Sequence, residues 1–293
     1  MKRVALFAFW LLLFCFGIPS KGLAVRPFVT DDARIVDTGQ LEFESWPDLA
    51  ISQGAFDYAY YLMFGVTPID WLEIITGGGV GRSSDPSSGR IAIPNPVLQF
   101  KLLFWKAEEN GVPGLAFDLG FMMPFGAGSM FDPAFGWYAY FVMTTRLWKD
   151  WVMIHWNGGA RGSVLIEERE GVGSPGHLLV RPFWGLGVDM GFFDVDVRLI
   201  LEAFGGDPFD LLGPDYSFQW GFRWLATDHL NLDLTFGAQP TFEDRRQVGQ
   251  EWDAWVQTGV RITVDAFVPG GRKGDPTGAR GMVPAYGSPP WSP

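Results

Sequence analysis

Leu230, Leu232, Leu234, Phe236 and Ala238 alternate with Asn231, Asp233, Thr235, Gly237 and Gln239, and this two-residue rhythm constrains the chain more than any other feature. Alternation sends one set of side chains to an apolar setting and the other to a polar one, as on a strand. A helix would mix the two sets around its circumference. Each run lasts about ten residues, the length a tilted strand needs to cross a bilayer. The rhythm recurs over 194–203, where Val195, Val197, Leu199, Leu201 and Ala203 oppose Asp194, Asp196, Arg198 and Glu202, with Ile200 the one interruption. It returns over 98–104, 115–123, 216–224 and 256–264, and less regularly over 40–49, 55–65, 71–80, 135–147, 151–160 and 177–188. About twelve strands result, and single-chain bacterial barrels use even numbers.

The connections point the same way. Short links fall near 67–70, 108–111, 148–150, 189–191 and 227–229, and longer polar or Gly/Pro-rich ones near 81–93, 124–134, 161–176, 205–214 and 240–253. Short and long alternate, as when tight turns face the periplasm and long loops face outward. Both termini then lie on the periplasmic side. The first outer link, 52–54, is the short exception.

A soluble barrel or a periplasmic β-sandwich would also alternate, so the faces need a further argument. Large residues crowd nearly every apolar face, more than an interior of this size can pack. The glycines within strands (Gly120, Gly185, Gly187, Gly221, Gly237, Gly259) fall on the polar face, where they suit a crowded lumen. Trp71, Trp105, Trp137, Tyr138, Trp148, Trp151 and Trp224 recur near strand ends, the place for half-polar rings at a membrane interface. The expected fold is therefore all-β: a single antiparallel up-and-down transmembrane β-barrel of about twelve strands, with its oily face in outer-membrane lipid.

Lys2 and Arg3, the apolar run 4–16 and the small residues Gly22-Leu23-Ala24 have the three-part layout of a secretory leader, placed at 1–24. Its removal would take Cys15, the single cysteine, and leave no thiol chemistry. A periplasmic segment over 25–39, the barrel over 40–267 and a disordered Gly/Pro-rich tail over 268–293 complete the division. Thr30-Asp31-Asp32 reads as a turn that satisfies its own backbone donors; the alternative is a plug that pairs with lumen arginines. The formal net charge of -11 argues against a nucleic-acid partner.

Sites for chemistry are few. There are three histidines, and no HExxH, Gly-x-Ser-x-Gly or phosphate loop, so neither an enzyme nor a cofactor is expected. A barrel lipid hydrolase would need a serine beside a histidine near the outer rim. His155 and Asn157 on one strand, with Ser163 or Ser174 in the loop after it, come nearest. The polar face is richer: Glu73, Lys101, Asp118, Arg181, Asp194, Asp196, Arg198, Glu202, Arg223, Asp233 and Arg261 all project inward in this register. Arg181, Arg198 and Arg223 are expected to turn towards Asp194, Asp196 and Asp233. Such charges either neutralise one another or form a constriction that selects a solute.

Arg26-Pro27-Phe28-Val29-Thr30-Asp31-Asp32-Ala33, followed by Gly39-Gln40-Leu41-Glu42-Phe43-Glu44, resembles the start of an outer-membrane transporter family named for the meta-pathway of phenol degradation. Phe64-Gly65-Val66-Thr67 with Asp70-Trp71-Leu72-Glu73 is similar to that family's early hairpin, with Pro68-Ile69 inserted. The resemblance covers under a sixth of the chain. It implies passive passage or binding of a small solute, apolar or aromatic, across the bacterial outer membrane. A structural or adhesive barrel is the alternative, and the lipid hydrolase a distant third.

Overall fold

The computed structural model describes residues 28–52, 55–83, 91–109, 111–128, 131–148, 151–166, 174–192, 194–206, 216–227, 229–240 and 252–266. The leader, Cys15 and the tail expected from 268 lie outside the described residues. Twelve strands follow one another along the chain. The first six are β1 (Gln40–Ser52), β2 (Ala55–Ile69), β3 (Leu72–Ser83), β4 (Val97–Trp105), β5 (Gly114–Met122) and β6 (Ala134–Leu147). The rest are β7 (Val152–Leu165), β8 (Leu178–Phe192), β9 (Asp194–Gly205), β10 (Ser217–Thr227), β11 (Leu230–Pro240) and β12 (Trp252–Asp265).

Each strand pairs antiparallel with its neighbours in sequence, and β1 pairs with β12, with Gln40 opposite Asp265 and Ile51 opposite Ala254. The sheet is a closed barrel. Closure leaves no edge, the condition for a sheet in lipid. Short links at 70–71, 106–113, 148–151, 193 and 228–229 lie at the end where β1 starts and β12 stops, and the longer links lie at the other end. The link expected at 189–191 falls at 193 instead, because β8 runs on to Phe192. Asp189 therefore belongs to the wall.

The faces are oriented as the alternation predicts. Leu201 on β9 and Phe218 and Trp220 on β10 are 41%, 52% and 46% exposed, while Glu202 on β9, Gln219 on β10 and Asp233 on β11 are buried. Trp71, Trp105 and Trp148 are exposed at the turn end. Tyr138 corrects the interface expectation: it is fully buried, and its hydroxyl donates to Gln99 Oε1 at 2.8 Å inside the lumen. An arginine on the outer face offers a direct check. Leu201→Arg is expected to cost about 2–4 kcal/mol near the bilayer midplane, read as a lower urea midpoint for folding into vesicles. No such loss should appear in detergent micelles.

The ladder is thinnest between β3 and β4. Regular pairing stops at Gly77 opposite Val97, and contact resumes only at the single bridge between Gly81 and Ala92. Pro94 and Pro96 have no N–H to give. The intervening Asn95 turns the other way, its amide nitrogen donating to the Asp132 carbonyl at 2.8 Å and its oxygen accepting from Asp132 N at 2.9 Å.

Candidate functional site

The lumen is not empty. Residues 28–38 fold back between the walls, burying Val29, Ala33, Ile35 and Val36. The segment expected below the barrel thus lies within it, as an arm. A tight turn makes the reversal: Gln40 N donates to Asp37 O at 3.0 Å, Gly39 N to Thr67 O at 3.0 Å, and Gly39 has φ 88°. Only glycine adopts that backbone without strain.

Wall side chains take hold of the arm's main chain. Glu202 on β9 accepts from Val29 N at 3.1 Å and from Thr30 N at 2.7 Å. Asn157 on β7 accepts from Asp31 N at 2.7 Å and donates to Asp31 O at 2.9 Å. Thr144 on β6 accepts from Ala33 N at 2.8 Å. Lys101 on β4 pairs with the Asp31 carboxylate at 2.8 Å, and the Arg223 guanidinium lies 5.1 Å from the centre of the Phe28 ring.

The Thr30-Asp31-Asp32 cluster meets each of the two readings only in part, since the Thr30 and Asp31 amides go to the wall. Asp32 N donates to Asp31 Oδ1 at 2.8 Å and Arg34 N to Asp32 Oδ1 at 3.0 Å, so it is a turn. It is also a plug, anchored on a lumen lysine rather than on the arginines. Burial alone would push the Asp32 carboxyl up. The Arg34 guanidinium bound to it, with Lys101 beyond, outweighs this and holds it well below the usual carboxylate range.

Most of the expected inward charges lie in this layer. Glu73, Lys101, Asp118, Arg198, Glu202 and Asp233 are buried, and Arg223 and Arg261 are half-buried. Lys101 stands between Glu73 and Asp118 in the β3–β4–β5 register. Arg223 meets Asp233 through two hydrogen bonds of 2.8 and 3.1 Å, the pairing expected across the β10–β11 hairpin. Arg261 donates to Glu42 at 2.6 Å and lies 3.7 Å from Glu44. Two expectations need correction. Arg198 pairs with Asp189, which the sequence placed in a turn; the side chains of Asp194 and Asp196 lie outside those described. Arg181 is near the loop end of β8, opposite Arg161, whereas Asp194 starts β9 at the turn end.

On the loop side of the charges lies an aromatic layer. Trp46 stacks on Tyr61 at 5.3 Å, and Tyr140 packs between Tyr138 and Phe183 at 5.8 and 4.6 Å. Glycines on neighbouring strands make the room. A Cβ on Gly120 would sit 1.9 Å from the Tyr138 ring, and one on Gly237 2.0 Å from Trp255. Between the arm and the wall formed by β7–β12 and β1 remains a cavity of ≈ 90 Å³, bordered by Phe28, Trp46, His155, Glu202, Arg223 and Arg261 among others. Several water molecules fit there.

The hydrolase constellation is not assembled. His155 Nδ1 lies 3.0 Å from Thr144 Oγ1. Ser163 sits on β7 itself, not in the loop after it, and eight residues along a strand separate it from His155 by about 26 Å. Ser174 is further out, exposed in the β7–β8 link. Among the described residues no three His, Cys, Asp or Glu side chains cluster as metal ligands would.

No family model and no curated protein matches the sequence. Solved structures match in shape. An outer membrane channel from Pseudomonas putida F1 superposes with a TM-score of 0.57 at 12% identity, over 80% of this chain and 98% of that one. The fold is that of an outer-membrane β-barrel. KdgM porin aligns at TM-score 0.46 and 8% identity, over 75% of this chain and 98% of its own. The Pseudomonas putida toluene transporter TodX aligns at 0.39 and 9%, over 84% and 99%. These last two likenesses are too distant to argue from.

Proposed function

We propose that the protein is a narrow outer-membrane channel that passes a small solute beside its own N-terminal arm. The observation that carries this reading is the polar cavity left between arm and wall, in a barrel whose outside is apolar. A barrel with a purely structural role gains nothing from keeping ionised groups inside, since a packed apolar core is at least as stable as buried ion pairs. The aromatic layer on the loop side favours a solute with an apolar or aromatic part. It agrees with the resemblance of the arm to the meta-pathway transporter family, to which we assign the chain. Export by the leader and residence in the bacterial outer membrane follow from the same reading, as does lipid as the partner of the outer face.

The test is electrical. Purified, refolded protein in a planar bilayer is expected to give small, discrete current steps, well below those of open porins, and to admit small solutes into liposomes. Silence in both assays, from protein shown to be folded, would leave only a structural or adhesive barrel.

A further inference from the structure

We propose that the lumen wall is a receptor for the main chain of a short peptide, and that the arm is its tethered ligand. Glu202, Asn157 and Thr144 contribute five hydrogen bonds to the arm, and all five go to backbone groups of Val29, Thr30, Asp31 and Ala33. The three residues stand on β9, β7 and β6, so they follow the peptide around the wall. An asparagine that meets both the N–H and the C=O of one residue reads its backbone and makes no use of its side chain.

The receiving groups are themselves held. Gln219 donates to Glu202 at 2.9 Å and accepts from Trp255 Nε1 at 2.7 Å. Thr144 is steadied by His155. Beneath Thr30 the wall is glycine: a Cβ on Gly185 or Gly187 would come within 2.9 or 3.2 Å of the Thr30 side chain. This floor makes room for the Thr30 side chain. A charged anchor, Lys101 on Asp31, sets the position along the groove. The ligand class is therefore a short peptide with an acidic residue at the place of Asp31. The buried side chains of Val29, Ala33 and Ile35 add apolar contact to this main-chain grip. The inference concerns what the wall binds and stands whether or not a solute passes.

Cleavage after folding tests it on the full chain. A protease site inserted at the exposed Thr38 allows the folded protein to be cut, so that the arm becomes an untethered peptide. A fluorescent synthetic peptide of residues 28–37, in excess, is expected to replace it and bind with high anisotropy. Changing Val29 and Ile35 to alanine in that peptide should also weaken binding, since both side chains are buried in the lumen. N-methylation at Val29, Thr30 and Ala33, which removes three donors, should weaken it at least about a hundredfold. An N-methylated peptide that binds within about threefold of the native one overturns the proposal. So does a cut arm that no peptide replaces.

The uncut chain gives a second reading by amide hydrogen exchange. In Asn157→Ala, protection at Val29, Thr30, Asp31 and Ala33 must fall together. A loss confined to Asp31 would show that the arm is not bound as one ligand.

Discussion

Replacing Glu202 by alanine is expected to free the arm and raise the time the channel spends wide open. The carboxylate accepts from two consecutive arm amides and from Gln219, all in buried surroundings. A buried donor left without an acceptor costs about 1–3 kcal/mol, so the two amides alone cost roughly 2–6 kcal/mol. At about tenfold per 1.4 kcal/mol, the arm-out population rises by roughly 30-fold to 10⁴-fold. Water that enters beside the docked arm would bring the result towards the lower end. The barrel itself should remain folded, because no strand pairing depends on this side chain. Single-channel recording reads the outcome as frequent long openings several steps above the parent level. Glu202→Gln, which keeps one oxygen to accept, should fall between the two. Traces identical to the parent, from protein that still shows the gel mobility of a folded barrel, would mean that Glu202 does not hold the arm in place.

The wall was legible because it obeys one rule repeated twelve times. Period two separates Leu201 from Glu202 and Phe218 from Gln219 without any knowledge of the neighbours, and the lipid supplies the reason for the oily side to face out. Arg223 with Asp233 was legible too, since a short turn sets the register of the β10–β11 hairpin. The Arg198 partner was missed for a local reason. The alternation of β8 fades before Phe192, so Asp189 read as a turn residue although the strand continues through it.

The arm was harder for a physical reason. Its partners Asn157 and Thr144 are neutral, inward-facing polar residues with nothing in their local pattern to mark them. They meet positions 126 and 111 residues away in the chain, and no periodicity links an irregular segment to the strands around it. What the sequence does carry is the pairing of small with large on the lumen face. Gly185 and Gly187 were legible as inward glycines, but not what fills the space they leave. The aromatic layer hid in the same way: Tyr138 lies near a strand end, where an interface ring was expected, and only the Gly120 opposite it signals an inward side chain.

Gly120→Leu is expected to prevent the barrel from folding. Gly120 on β5 stands directly opposite Tyr138 on β6, and the tyrosine ring lies over it so closely that even a methyl group would overlap its carbon atoms. The ring has nowhere to withdraw. It is stacked against Tyr140, which is packed on Phe183, and its hydroxyl donates to Gln99, whose amide in turn donates to the fully buried Asp118. Overpacking costs about 1–3 kcal/mol, and breaking the buried chain costs about 1–3 kcal/mol more. The sum is a large part of the roughly 5–15 kcal/mol that holds a typical domain together. Gly78→Ala on β3 is the control: its Cβ would meet only Pro96, at 3.7 Å, an ordinary contact. Refolding yield, read from the heat-dependent gel shift of folded barrels, should be near zero for Gly120→Leu and unchanged for Gly78→Ala. Adding Tyr138→Ala should restore folding in the Gly120→Leu background, because it removes the ring that the leucine displaces. If it does not, the cost lies in the β5 backbone and not in the paired glycine and tyrosine.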